Sequence, residues 1–253
     1  LHPVLLLFAF ASPAITVDNS FESNSRRRFQ MIAGEVERLA REYFQASPPI
    51  DLPLFVRRDR SGPLTELDDW THPTRIYIGL KTVAPFYAQF AYQLGHEIAH
   101  VYLNPRRANG ILESIATAFS YEVLDRLAES WKTSAPFDYA RAHAEELSRY
   151  RARAEQEALS HFPRDIRSAV TNRDWPAVRI FLKSHASELD QLSASATKSE
   201  SGRAWQSLAA ICLRSAPIDW PKFADLGRCT DPTPDRDPTL RYAALLGCKT
   251  PIP

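Results

Sequence analysis

Five residues in this chain, His96-Glu97-Ile98-Ala99-His100, combine types and a spacing that can do chemistry. On a helix, a step of four places both imidazoles on one face, one turn apart, where they can close on a single zinc ion. The carboxylate of Glu97 stands between them, near enough to take a proton from a metal-activated water. The pentad lies within an apolar stretch, Gln93 to Asn104, that suits a largely buried helix. Two histidines and a glutamate facing a core need polar partners, which favours a shared ligand over plain packing. A catalytic zinc has three protein ligands and one open position, so the pentad is one ligand short.

Glu113 is the leading candidate for that ligand. The pentad helix is predicted over 84–104 and is ended by Pro105. A short loop, Arg106 to Asn109, turns the chain into a second helix predicted over 110–131, with Glu113 in its first turn. A tight antiparallel hairpin would bring Glu113 level with His100, each about 5–6 Å from its helix end. The helix dipole favours a carboxylate there with or without a metal. Glu122 lies about two and a half turns deeper and ranks behind Glu113. His143, His161 and His185, on later helices, stay open as outside candidates.

The run His96-Glu97-x-x-His100, followed by Glu113-Ser114-Ile115-Ala116-Thr117, resembles the gluzincin metallopeptidases, the thermolysin-like class of zincins. In that class a glutamate on the next helix is the third zinc ligand. The resemblance covers about His96 to Thr117 and has the short spacing of the compact members. It implies Zn2+ held by His96, His100 and Glu113, Glu97 as general base, and a peptide or protein as substrate. Thr117 departs from the pattern, standing where many members have an aspartate that hydrogen-bonds a zinc-binding histidine. A hydroxyl can orient an imidazole but lends it less basicity than a carboxylate. The metzincin variant is excluded, because Leu103 and Arg106 occupy the positions where it requires glycine and histidine.

Hydrolysis at such a site also needs a donor for the developing oxyanion. Tyr121, Tyr139 and His143 follow the second helix closely enough to be candidates. Gln89 and Gln93 share the helix face of the two histidines and either line a cleft or pair with the neighbouring strand. In zincins generally, the strand before the pentad helix often forms a sheet edge that pairs with an extended peptide. Here that strand is Arg75 to Leu80. The alternative to a peptidase is a non-catalytic zincin-like module that retains the metal for structure or binds a partner in the cleft. Retention of Glu97 speaks against it, since a structural zinc site usually closes with four protein ligands and needs no base.

The elements that must position these residues are predicted as follows. An amphipathic helix over 25–44 carries Phe29, Ile32, Val36, Leu39 and Tyr43 on one face, and Ser47-Pro48-Pro49 stops it. Strands are expected over 52–58 and 75–80, joined by a turn-rich connection through Ser61-Gly62-Pro63. After the pentad hairpin, helices are expected over 137–162, 164–171, 175–192 and 203–213, with 193–202 as a link and an irregular proline-rich tail from Ser215. The fold class is α+β and mainly helical: a zincin-like core at 20–135, with a small N-terminal sheet on the pentad helix, and a helical C-terminal lobe at 136–253.

With 253 residues the chain can build one sizeable core or one domain with an appended lobe. A net charge of +1 gives no reason to expect nucleic acid, and acidic residues follow each basic cluster within a turn or two. Residues 1–14 read as a signal peptide, too short to span a bilayer as a helix, although a positive leading segment is missing. That predicts a secreted or periplasmic protein with no stable membrane insertion. An oxidising compartment allows one disulfide among Cys212, Cys229 and Cys248. Cys229 and Cys248, both in the tail, are the expected pair, with Cys212 buried.

Overall fold

The computed structural model describes residues 15–106, 110–185, 200–221 and 223–224. The predicted signal segment and the predicted Cys229–Cys248 pair lie outside these residues. The described chain is α+β and mainly helical, with four strands: β1 (Ile15–Val17), β2 (Leu54–Arg58), β3 (Leu64–Leu67) and β4 (Ile76–Leu80). Its helices are α1 (Ser23–Phe44), α2 (Tyr87–Leu103), α3 (Gly110–Thr133), α4 (Ala140–Ser160), α5 (Arg164–Thr171), α6 (Trp175–Ser184) and α7 (Glu200–Leu213).

The strands form one sheet in the order β1-β2-β4-β3. β1, β2 and β4 run parallel, and β3 pairs antiparallel with β4. Alternation sets the two faces. Leu54, Val56, Ile76, Ile78 and Leu80 are buried towards the helices, while Phe55, Arg57 and Tyr77 lie on the outer face. There Arg57 sits over the Tyr77 ring and Arg75 over the Phe55 ring, covering apolar surface with paired charge.

The expectation that β4 forms the sheet edge is corrected. β4 lies between β2 and β3, and the edge strand on its side is β3, within the connection expected to be turn-rich; β1 is the other edge. Three half-buried residues and the exposed Glu66 give β3 no clear pattern of its own; its strand conformation comes from pairing with β4. The link predicted over 193–202 is also corrected at its end, because Glu200 to Gly202 already belong to α7. α4 starts at Ala140, three residues after the predicted start at 137.

α2 is the central element. It is buried on nearly all sides, packed by α1, α3, α4 and the sheet, and its contact with α3 is the most extensive among the described elements. Gly95 permits that approach: a Cβ there would lie 3.3 Å from the Ser120 backbone and 3.3 Å from the Val123 side chain. Among its residues only Gln89, Tyr92 and His96 are less than fully buried, at steps of three and four, so solvent meets the helix along one narrow line.

The main core runs from the sheet through α1, α2 and α3 and continues into α4 at Ala140, Ala144 and Leu147. A second cluster, with Phe162, Ile166, Val178, Leu182, Leu208 and Cys212, unites α5, α6 and α7. Charge joins the two parts. Arg214, just past α7, pairs with Asp125 and Glu122 of α3 and with Glu155 of α4, and Arg151 of α4 lies 2.7 Å from both Asp125 and Glu155. No described helix is long and apolar enough to cross a membrane.

Candidate metal centre

The hairpin of α2 and α3 brings three donors to one point. His96 Nε2 lies 2.9 Å from Glu113 Oε2, His100 Nε2 lies 3.2 Å from His96 Nε2, and His100 Nε2 lies 3.3 Å from Glu113 Oε1. A four-coordinate metal with bonds of about 2.0–2.1 Å needs donors about 3.3 Å apart, the edge of a tetrahedron. The three separations are close to that edge. Among the described residues, His96, His100 and Glu113 form the one group of three or more such side chains with ligand atoms near enough to hold a metal ion.

Local structure explains the convergence. Pro105 ends α2, and the Asn104 backbone leaves the helix in extended conformation while its N–H still donates to the His100 carbonyl. α3 begins at Gly110, and Ser114 donates back to the Gly110 carbonyl at 2.6 Å within its first turn. Glu113 thus faces α2 at the level of both histidines. The site is sheltered but reachable: the side chains of His96, His100 and Glu113 keep 17%, 9% and 11% of their exposure.

Burial and charge tune the pair that meets most closely. Burial disfavours the charged form of His96, but the hydrogen bond and charge of Glu113, with the charge of Glu97, outweigh it and raise its pKa. Burial would raise the Glu113 carboxyl, yet hydrogen bonds from His100 and His96 and their charges hold it far below the usual carboxylate range. In metal-free protein both shifts stabilise the fold, with opposite dependence on pH. The raised His96 stabilises fully below the ordinary imidazole value of 6.5 and loses this as pH rises through its higher folded value. The lowered Glu113 stabilises above its ordinary 4.5 and loses this as pH falls through its lower folded value. After chelation, the Tm difference between wild type and Glu113→Gln should therefore be widest between about pH 4.5 and 6.5 and narrow on both sides, measured by calorimetry.

Glu97 turns towards the sheet. It is buried, and its Oε2 accepts a 2.7 Å hydrogen bond from the Thr65 hydroxyl of β3. Its charge reaches His96, so it borders the three-donor group without joining it. Thr117 is buried one turn beyond Glu113.

The other candidates are engaged elsewhere. Glu122 accepts a 2.6 Å hydrogen bond from the Tyr43 hydroxyl and pairs with Arg214. His161 faces Glu200, and His185 packs on Phe181 and Trp205. Tyr139 and His143 lie together, with His143 against Tyr87 at the start of α2, about 13 Å along the helix from His96. Tyr121 is fully buried against Tyr92, with Arg214 over its ring. None of the three oxyanion candidates therefore stands with the donors. Gln93 Nε2 donates to the Lys81 carbonyl at 3.3 Å and Thr82 to Gln89 Oε1 at 3.4 Å, so these glutamines tie the β4–α2 connection to the helix.

Sequence reasoning missed Thr65. Its partner is 32 residues away, and no local pattern marks a hydroxyl that will meet a helix across a sheet. Comparison with known protein families, curated proteins and solved structures finds no match to this chain.

Proposed function

We propose that this chain is a zinc-dependent peptidase of zincin-like architecture, acting outside the cytoplasm on peptides or proteins. The observation that carries this reading is the convergence of His96, His100 and Glu113 at near-tetrahedral spacing, with the buried Glu97 carboxylate beside them. Two imidazoles and one carboxylate suit zinc and leave a coordination position that no described protein donor fills. When bound, zinc supplies a Lewis acid that lowers the pKa of water and polarises a carbonyl.

The chain's own residues supply the rest. Glu97 accepts the proton of the attacking water and passes a proton to the leaving amine. Glu113, already ionised, neutralises positive charge between the histidines. β3 offers the substrate a strand to pair with. Asp68 N–H donates to the Arg75 carbonyl, so antiparallel alternation turns the backbone groups of Thr65 and Leu67 away from β4 and towards the open side. An extended peptide lying there would gain main-chain hydrogen bonds with little demand on its sequence. The placement outside the cytoplasm rests on the apolar segment at residues 1–14.

Zinc content and cleavage of a mixed-peptide library, with and without a chelator, test the proposal. One equivalent of zinc and cleavage lost on chelation and restored by zinc are expected. Zinc bound with no peptide cleaved would favour a non-catalytic module that keeps the metal for structure.

A further inference from the structure

We infer that Thr65 is a positioning residue that holds the Glu97 carboxylate from the strand on which the substrate pairs. The inference rests on the peptidase reading for its catalytic consequence, and on the hydrogen bond alone for its structural one. Thr65 is paired with Ile78, which is buried towards the helices, so its side chain shares that face and meets α2. Its hydroxyl lies 2.7 Å from Glu97 Oε2 and 3.2 Å from the Glu97 carbonyl oxygen. A hydroxyl carries one proton, and the shorter contact to the charged acceptor takes it. The hydrogen bond occupies Oε2 and restricts rotation of the carboxylate, leaving Oε1 as the oxygen available to a proton.

The same residue faces two ways. Its side chain fixes the base, and its backbone N–H and C=O face the open side of β3. A peptide pairing at Thr65 would thus be held in register with the carboxylate that serves its hydrolysis. Proton transfer depends steeply on placement, so losing the hydroxyl should act on turnover rather than on peptide pairing, which uses the backbone. Valine keeps the shape and β-propensity of threonine without the donor, and serine keeps the donor.

Two measurements test this. With a peptide substrate, Thr65→Val should lower kcat by about 10–100-fold with KM within about threefold and one equivalent of zinc retained, and Thr65→Ser should recover most of kcat. Unchanged kcat in Thr65→Val, an effect on KM alone, or a serine variant as poor as valine would overturn the positioning role. In zinc-free protein, Thr65→Val should lower Tm by roughly 2–6 °C beside Glu97 and have no such effect in a Glu97→Ala background. Equal losses in both backgrounds would show that the hydroxyl does not hold Glu97. If wild type cleaves no peptide, the peptidase reading fails, and the Tm cycle still decides whether Thr65 holds Glu97.

Discussion

Glu97→Gln is expected to reduce kcat/KM for peptide cleavage by about 10²–10⁴-fold while one equivalent of zinc stays bound. The amide has nearly the shape of the carboxylate and can still accept from Thr65, so the packing of α2 against β3 should survive. It cannot accept a proton at neutral pH, and that is the function assigned to Glu97. The three proposed donors are His96, His100 and Glu113, and the substitution touches none of them, so zinc held there should stay. Loss of zinc together with activity would mean that Glu97 supports the metal rather than the proton transfer. Full activity without the carboxylate would remove it from the mechanism.

Glu113→Ala should have the second large effect. Removing one of three donors is expected to weaken zinc binding by more than 10²-fold, beyond the 10–100-fold typical of losing a partner that merely orients a ligand. The substitution also leaves two imidazoles 3.2 Å apart without the carboxylate that neutralises a proton or metal between them. Glu122→Ala is the matching control. Its carboxylate is bonded to Tyr43 and Arg214, so that variant should keep its zinc and lose stability instead, by about 1 kcal/mol for the half-buried Tyr43 hydroxyl left without its acceptor, while Arg214 keeps Asp125 and Glu155. Competition with a zinc-binding dye measures both. Equal affinity in wild type and Glu113→Ala would remove Glu113 from the ligand set.

Much of the centre was legible in the sequence because it is local. The four-residue step of His96 and His100, the stop at Pro105 and the restart at Gly110 together define a hairpin, and a hairpin fixes which residues face each other. Glu113 could therefore be placed against His100, and the structure puts it against both histidines. α1 and α3 were legible for a similar reason, since their apolar residues recur at helical spacing through a long segment.

What escaped is non-local. β3 exists because β4 pairs with it, and its four residues announce neither their edge position nor the contact of Thr65 with α2. The expectation of β4 as the edge came from the general zincin arrangement, whereas its β-branched and aromatic residues, buried at four of five positions, suit an inner strand. The oxyanion candidates failed in the same way. Tyr121, Tyr139 and His143 are near Glu113 in sequence, but helix packing carries Tyr139 and His143 to the start of α2 and seals Tyr121 beneath Arg214.

The central claim is that two histidines and one glutamate bind zinc and leave a position for chemistry. X-ray absorption at the zinc edge of the loaded protein tests it most directly. The prediction is one zinc with two imidazole donors, one carboxylate donor and no further protein ligand, and with no such site formed in His96→Ala. A zinc closed by four protein donors, or an unchanged spectrum in His96→Ala, would contradict it.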